Sequence, residues 1–138
     1  MATLLDSYAV VAFLAGEPAA SGVRMILRDG SARIPTANLA EALDVLQRRY
    51  GVPIPRAAEA LEPLLERALM PIELTIGIAQ RAATVRATHY RRRERDLSLA
   101  DAILIASASD TDTIATADPA VLAVCADEGI VTIALAVG

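Results

Sequence analysis

Short apolar segments alternate with longer stretches of helical spacing along this chain. The short segments predict five strands: Ala2–Leu5, Ala32–Pro35, Pro71–Leu74, Thr113–Thr116 and Ile130–Ala134. The clearest of the longer stretches predict helices over Asn38–Tyr50, Pro55–Leu69, Thr75–Tyr90, Ser98–Ser109 and Pro119–Glu128. This alternation is typical of an α/β fold with a parallel central sheet of four to five strands and helices on both faces.

The length of 138 residues and the 54% share of apolar residues predict a single domain that spans residues 1–138. Gly51 and Gly129 fall where helices are expected to end. Pro63 lies inside the second predicted helix. That helix is therefore either kinked at Pro63 or divided into two short helices that meet at Glu62.

The absence of lysine and the presence of a single histidine exclude several classes of functional site. All 13 basic residues are arginine, which excludes a phosphate-binding loop with its lysine, a protein-kinase lysine and a Schiff-base lysine. His89 is the only histidine, so a zinc site with several histidines is excluded and a Ser-His-Asp triad would depend on His89 alone. The carboxylates are therefore the main candidates for catalytic groups and metal ligands.

The distribution of uncharged residues argues against membrane insertion and secretion. The two longest uncharged runs, Ser7–Gly16 and Gly129–Gly138, are ten residues each, about half of what a membrane-spanning helix needs. Asp6 interrupts the first apolar run and no basic leader precedes it, which argues against a signal peptide. The single Cys125 excludes an internal disulfide. We therefore expect a cytoplasmic protein that does not enter a membrane.

The charge is concentrated in one basic segment on an otherwise acidic chain. Six arginines and one glutamate lie between Arg81 and Arg95, a local charge of +5, while the net charge of the whole chain is −4. One interpretation of the densest part is a solvated helix end whose cations meet the negative end of the helix dipole, with His89 and Tyr90 at the surface. The other is an arm that contacts phosphates. The candidate contact residues of that arm are Arg91, Arg92, Arg93 and Arg95.

Four acids occupy equivalent positions at predicted helix starts: Asp6, Glu41, Asp101 and Asp118. Each alone is typical of a helix amino terminus, where it caps the helix or partners a cap such as Asn38 or Ser98 three residues earlier. In a parallel sheet, however, helix starts that follow strands gather at the carboxyl edge, where ligands bind. Two carboxylates about 5 Å apart repel by roughly 3 kcal/mol at an effective dielectric constant near 20. No basic residue lies within three positions of any of the four, so the cluster needs cations or protons.

Hard oxygen ligands without clustered His or Cys suit Mg²⁺ or Mn²⁺ better than zinc. Such ions can activate a water and stabilise the leaving oxygen in phosphodiester hydrolysis. The segments that carry the acids resemble the four acidic motifs of PIN-domain ribonucleases: Thr3–Ser7, Asn38–Glu41, Leu97–Ala102 and Thr116–Asp118. A single PIN-like domain of this length is most similar to the VapC-type toxins of toxin–antitoxin pairs.

The resemblance implies that Asp6, Glu41, Asp101 and Asp118 are the catalytic residues and the ligands of Mg²⁺ or Mn²⁺. It also implies an RNA substrate, a cognate antitoxin that obstructs the acidic cleft, and a homodimer. The mean hydropathy of +0.42 supports the homodimer, because it predicts an apolar face on the early helices that a partner covers.

Several residues near the motifs have two interpretations. Thr116 either orients the last acid or a water, or is an ordinary strand residue. Ser7 either touches the metal site or, as we favour, caps the first helix. Asp44 lies one turn beyond Glu41 and either belongs to the outer part of the site or, as we favour, is a solvated acid at the surface. Three further acids remain without an assigned position and are expected in loops: Asp96, Asp110 and Asp112.

The leading hypothesis is a metal-dependent endoribonuclease. One alternative is a PIN-fold module that binds a partner without catalysis. Another is a phosphatase that uses Asp6 as nucleophile, although Tyr8 stands where that class needs a second aspartate. With one Phe, three Tyr and no Trp, aromatic platforms are scarce, so RNA recognition is expected to depend on arginine and backbone contacts.

Overall fold

Helices and strands alternate along residues 1–137, the part of the chain that this computed structural model describes. The strands are β1 (Thr3–Leu5), β2 (Ala32–Pro35), β3 (Leu69–Ile72), β4 (Thr113–Thr116) and β5 (Val131–Ala134). The helices are α1 (Ser7–Ala15), α2 (Ala20–Arg28), α3 (Thr36–Tyr50), α4 (Ile54–Arg67), α5 (Ile76–His89), α6 (Leu99–Ser107) and α7 (Pro119–Glu128).

The five strands form one parallel sheet in the order β3-β2-β1-β4-β5. From β1 the chain first builds outward through β2 and β3, then returns to the other side of β1 with β4 and β5. The order therefore reverses between β1 and β4, where Thr3 pairs with Thr113. Crevices at such a reversal, beyond the carboxyl ends of the strands, are where open parallel sheets bind ligands.

The sheet has a hydrophobic core on each face. Leu4 and Ile114 pack with residues of α5, α6 and α7. The next residues along the same strands, Leu5 and Ala115, pack with residues of α1 to α4 on the opposite face. Neighbouring side chains of a strand point to opposite faces, so each central strand contributes to both cores. The predicted sandwich of helices on both faces of a parallel sheet is confirmed.

The third strand and the helix before it end earlier than predicted. The pattern assigned Leu69 to the helix and began the strand at Pro71, whereas α4 ends at Arg67 and Leu69 is a buried strand residue paired with Ala32. β3 lies at the edge of the sheet, where a proline is tolerated because its missing N–H need not bond a neighbour. Pro63 lies inside one continuous helix, so the division at Glu62 does not occur.

The predicted helix ends are confirmed at both glycines, whose left-handed conformation other residues rarely adopt. Gly51 ends α3 with φ of 66° and Gly129 ends α7 with φ of 73°. Cys125 is fully buried on α7, and burial raises the pKa of its thiol to about 11. It is therefore a small apolar core residue.

The first helix is strongly apolar, the second is amphipathic with two arginines, and the two meet at an angle of 107°. Among the described residues, no single helix is both long and apolar enough to cross a membrane, and the bent pair reaches that length only when both helices are counted together.

A buried acid outside the site links the start of the chain to the loop before β4. Asp112 accepts hydrogen bonds from the backbone N–H of Ala2 at 3.0 Å and of Ser109 at 2.9 Å. Burial alone would raise the pKa of Asp112, but these hydrogen bonds and the charge of Arg33 lower it below its ordinary value of 3.8. The ionised form therefore stabilises the fold, fully above pH 3.8, and this contribution is lost as the pH falls through the lower folded value.

We expect Asp112→Ala to lower the free energy of unfolding at pH 7 by about 2 to 4 kcal/mol, because it leaves two N–H groups without acceptors. Urea titration of the parent and variant measures the difference. The matched control is Asp110→Ala, an exposed acid of the same loop, which should change the value by less than about 0.5 kcal/mol. Equal losses in the two variants would show that Asp112 has no special structural role.

Candidate active site

The four acids that the sequence singles out line one cavity of about 500 Å³. Asp6 directly follows β1, and Asp118 lies two residues beyond the end of β4, so both stand at the point where the strand order reverses. Glu41 comes from the second turn of α3, and Asp101 comes from the first turn of α6. Four segments that are distant in sequence therefore present carboxylates to the same space.

Thr116 connects the carboxylates that follow β1 and β4. Its buried hydroxyl donates to Asp6 Oδ2 at 2.6 Å and accepts from the backbone N–H of Asp118 at 3.1 Å. The other Asp6 oxygen accepts from the N–H of Ala9 at 2.9 Å and caps α1. Of the two interpretations of Thr116, the structure supports the orienting one, and the residue also fixes Asp6.

Ser7 does not cap the first helix, contrary to the interpretation that we favoured. Asp6 occupies the capping position, so Ser7 is already the first helical residue. Its hydroxyl is free to donate to Glu41 Oε1 and binds it directly. The bond holds the α3 carboxylate toward the end of β1, and Ser7 therefore contacts a site carboxylate.

Asp101 and Asp118 combine helix capping with a place in the cavity wall. The Ser98 hydroxyl accepts from the Asp101 N–H at 3.1 Å, while Asp101 Oδ2 accepts from the Ser98 N–H at 3.4 Å, which completes a capping box. Asp118 Oδ1 accepts from Ala120 N–H at 2.8 Å at the start of α7. Capping and site formation are thus compatible, because helix starts are what the sheet edge presents.

Asn38 is not a cap, although its spacing from Glu41 matched that of Ser98 from Asp101. α3 begins two residues earlier than predicted, at Thr36, which places Asn38 inside the helix. Its side chain is fully buried, and Nδ2 donates to the Ala100 carbonyl at 3.5 Å. Asn38 therefore ties α3 to α6 beside their two acids.

Crowding and burial leave two of the carboxyls difficult to ionise. Burial raises the pKa of Asp6 to about 6; Asp118 and Glu41 add to the increase, and hydrogen bonds from Thr116 and Ala9 oppose it. Burial likewise raises the pKa of Asp101 to about 6, again with Asp118 and Glu41 adding to it and Ser98 opposing it. Asp118 and Glu41 therefore lie close enough to Asp6 and to Asp101 to disfavour their ionised forms.

The donor set fits a hard divalent cation by its chemistry. The titratable groups of the cavity include carboxylates but neither His nor Cys, a set that suits Mg²⁺ or Mn²⁺ rather than zinc. Within residues 1–137, no three acidic, His or Cys side chains already converge on a single point as ion ligands. Asp6, Asp101 and Asp118 each accept hydrogen bonds from nearby backbone N–H groups. Mg²⁺ keeps several waters and needs only one or two direct carboxylates, so the cavity fits it without full convergence.

Five further polar or aromatic residues of the cavity were missed as site residues in the sequence. Asp96, which was expected to be a loop acid, and Glu17 bring the carboxylates of the lining to six. Tyr8, Arg49 and Tyr50 also face the cavity. Arg49 lies two turns beyond Glu41 near the carboxyl end of α3, and the helical period of that segment was the available signal for it. Tyr50 is the last residue of the helix, and the period gave no signal for it. Asp44 is exposed and pairs with Arg48 at 3.2 Å, as expected of a surface acid.

The basic segment forms a short hairpin in which Arg91 and Arg95 pair in antiparallel fashion. Arg95 donates to Asp127 at 2.6 Å, and Arg91 donates to the Tyr90 carbonyl at 2.8 Å. Arg92 and Arg93 are exposed at the turn. The hairpin leads directly into Asp96, a residue of the cavity wall.

His89 is not a surface residue, contrary to expectation. It is buried at the end of α5, and its Nε2 lies 2.6 Å from Glu128 Oε1. Together with the bond between Arg95 and Asp127, this contact fastens the basic hairpin to the end of α7.

A sequence model of the PIN domain family matches residues 3–133. The chain therefore belongs to the PIN domain family, and the resemblance that its acidic motifs indicate is confirmed. No curated protein sequence is similar enough to this chain to count as a match.

Solved structures of toxin–antitoxin proteins share the fold. VapC20 of Mycobacterium tuberculosis, a sarcin-ricin loop cleaving toxin, aligns with a TM-score of 0.63 and 18% identity over 98% of this chain and 90% of its own. VapBC2 of Rickettsia felis, bound to a promoter DNA fragment, aligns with a TM-score of 0.72 and 12% identity. The alignment covers 99% of this chain and 100% of the VapBC2 chain. FitAcB of Neisseria gonorrhoeae aligns with a TM-score of 0.63 and 18% identity, and the alignment covers 95% of this chain and 96% of the FitAcB chain. At these identities the similarity establishes the fold.

Proposed function

We propose that this protein is a Mg²⁺- or Mn²⁺-dependent endoribonuclease and the toxin of a toxin–antitoxin pair. The observation that carries the proposal is the meeting of four carboxylates from separate segments in one cavity, two of them with a raised pKa. Membership of the PIN domain family supports a nuclease, and the toxins among the structural relatives support the biological class.

The chain's own residues supply position and charge in this proposal. Asp6, Glu41, Asp101 and Asp118 hold the ion, while Thr116 and Ser7 fix the orientation of Asp6 and Glu41 through their hydroxyl groups. A bound Mg²⁺ or Mn²⁺ supplies an activated water and stabilises the charge that develops on the phosphate. The candidate RNA contacts Arg91, Arg92, Arg93 and Arg95 do not line the cavity, but the hairpin that carries them leads into Asp96 of the cavity wall. In this proposal they contact the RNA backbone, and Arg92 and Arg93 are the least engaged by the protein.

Two protein partners complete the proposal, namely a cognate antitoxin and a second copy of the chain. Large apolar side chains at the surface support such contacts, among them Met25 on α2, which is 71% exposed, and Ile54 on α4, which is 51% exposed. Isolated exposed apolar residues are common, but two on the early helices match the apolar face that the hydropathy predicts. We propose a cytoplasmic location for the complex.

The experiment that tests the proposed activity is cleavage of a labelled single-stranded RNA with Mg²⁺, with Mn²⁺ and with EDTA. We expect cleavage with either ion and none with EDTA. Because water rather than the 2′-hydroxyl attacks, the products should carry no 2′,3′-cyclic phosphate. Cyclic ends, or equal cleavage in EDTA, would contradict the proposal.

The same assay separates the alternatives. A PIN-fold module without catalysis would leave every RNA intact with both ions. An aspartate-dependent phosphatase would release phosphate from a small phosphomonoester, but the second residue after Asp6 is Tyr8, whose hydroxyl is committed to the Ala136 carbonyl at 2.7 Å. The lack of a second aspartate at this position disfavours the phosphatase.

A further inference from the structure

One wall of the carboxylate cavity is aromatic and cationic. Glu41, Val45 and Arg49 follow one another at intervals of four residues on α3, and all three line the cavity, so a single face of that helix forms the wall. Tyr50 is the last residue of the helix and lines the same space. The left-handed Gly51 and a bond from Val52 N–H to the Leu46 carbonyl at 3.1 Å stop the helix there and fix the position of Tyr50.

Aromatic residues are rare in this chain, yet two of its three tyrosines line this cavity. Tyr8 is held in place because its hydroxyl donates to the Ala136 carbonyl at 2.7 Å. Tyr50 is 39% exposed and lines the cavity. The third, Tyr90, lies under the Arg86 guanidinium, 4.4 Å from it, and does not line this cavity. The aromatic surface of the chain is therefore concentrated beside the carboxylates.

Two adjacent arginines of α3 have different surroundings. Arg48 pairs with Asp44 on the outer surface, with its Nη2 3.2 Å from Asp44 Oδ2. Arg49 lines the cavity, and within residues 1–137 its guanidinium forms no ion pair, not even with the carboxylates of the same cavity. An arginine held near an acidic cluster but not bonded to it is available to an anionic ligand.

We propose that Tyr8, Arg49 and Tyr50, here called the α3 wall, form a nucleotide subsite for single-stranded RNA. In this subsite the Tyr50 ring stacks on an unpaired base. Arg49 contacts the phosphate adjacent to the phosphate that is cleaved at the carboxylates. Tyr8, whose position is fixed by its hydrogen bond to Ala136, forms the opposite side of the subsite. Single strands suit this wall because only unpaired bases expose a face for stacking. The inference rests on the proposed ribonuclease function and differs from the expectation that RNA recognition depends on arginine and backbone contacts.

The test measures RNA binding in EDTA, so that no cleavage occurs, by fluorescence anisotropy of a labelled ten-nucleotide single strand. We expect Tyr50→Leu to weaken binding roughly 5- to 100-fold through loss of one base stack, and Tyr50→Phe to restore it. Arg49→Gln should weaken binding roughly tenfold and reduce the slope of affinity against salt by about 0.7. Arg48→Gln is the matched control, with the same charge change one residue away, and should bind like the parent.

Kinetic and metal measurements distinguish a binding role from a distortion of the site. With Mn²⁺ present, Arg49→Gln and Tyr50→Leu should raise KM by the same factors while kcat stays within about threefold. Calorimetry should find Mn²⁺ affinity unchanged or increased in Arg49→Gln. A fall in kcat or in Mn²⁺ affinity without loss of RNA binding would overturn the subsite.

The two proposals fail in different ways. If the parent binds RNA through the α3 wall but cleaves nothing, the ribonuclease function is wrong and the subsite stands. If the parent cleaves RNA while Arg49→Gln and Tyr50→Leu bind like Arg48→Gln, the subsite is wrong and the ribonuclease stands. If the parent does not bind the strand at all, the subsite is also wrong.

Discussion

Asp6→Asn and Asp101→Asn are expected to lose RNA cleavage by about three orders of magnitude while the folded protein becomes more stable. Each substitution removes a negative charge that the ion needs, and a metal ion contributes several kcal/mol to stabilisation of the transition state. An amide has nearly the shape of a carboxylate, so the fold is preserved. The cleavage assay with Mn²⁺ measures the loss of activity.

The gain in stability follows from the raised pKa values. Burial, with help from Asp118 and Glu41, raises the pKa of Asp6 to about 6, so the ion-free protein at pH 7.5 keeps an ionised group that the fold disfavours. The shift of about 2 units above 3.8 gives an upper bound of about 3 kcal/mol, and we expect a gain of about 1 to 3 kcal/mol in the free energy of unfolding for Asp6→Asn. For Asp101, which is partly exposed, we expect about 1 kcal/mol.

Asp44→Asn is the matched control for both effects. Asp44 lies on the same helix as Glu41, but it is exposed and pairs only with Arg48. Its substitution should leave cleavage within about twofold and stability within about 0.5 kcal/mol. If Asp6→Asn and Asp101→Asn both cleave RNA at the parent rate, the assignment of these acids as catalytic residues is wrong. If either variant has a lower free energy of unfolding than the parent, the main role of that acid is to cap its helix.

Mg²⁺ and Mn²⁺ should stabilise the protein at pH 8 and lose most of that effect below pH 6. A ligand present at 100 times its dissociation constant stabilises the folded state by about 2.7 kcal/mol. Protons compete with the ion for Asp6 and Asp101, whose pKa burial raises to about 6. Thermal unfolding with and without Mn²⁺ from pH 5 to pH 8 measures the difference.

The pH dependence without an ion has the opposite sign. A carboxyl whose folded pKa is above its unfolded value destabilises the fold when ionised, so the ion-free protein should become more stable as the pH falls from 8 toward 5. Below about pH 4 this gain ends and the loss from Asp112 begins, since the pKa of Asp112 is lowered by its hydrogen bonds despite its burial. Ion-dependent stabilisation that is equal at pH 5 and pH 8 would contradict the account.

The sequence predicted those parts of the site that depend on local pattern. Asp6 and Asp118 follow strands, and Ser98 and Asp101 form the expected capping box, so strand ends and capping preferences were enough to find them. The carboxyl edge of a parallel sheet then brings such positions together, whatever their distance along the chain.

Contacts between elements could not be predicted in this way. Asn38 imitates a cap in the sequence, but packing of α3 against α6 draws it into the core. Ser7 reaches Glu41 only because Asp6 takes over the capping role. The helical period places Arg49 rather than Arg48 on the face of Glu41, but only the packing of α3 against the sheet determines that this face lines the cavity.

A crystal structure of the protein with Mn²⁺, with anomalous scattering data, tests most directly whether the carboxylates act as one cation site. The account predicts an anomalous peak inside the cavity, with oxygen atoms of one or two of Asp6, Glu41, Asp101 and Asp118 at about 2.0 to 2.3 Å and waters completing the shell. A Mn²⁺-saturated crystal with no peak among these four residues, or with its peak elsewhere on the molecule, would contradict it.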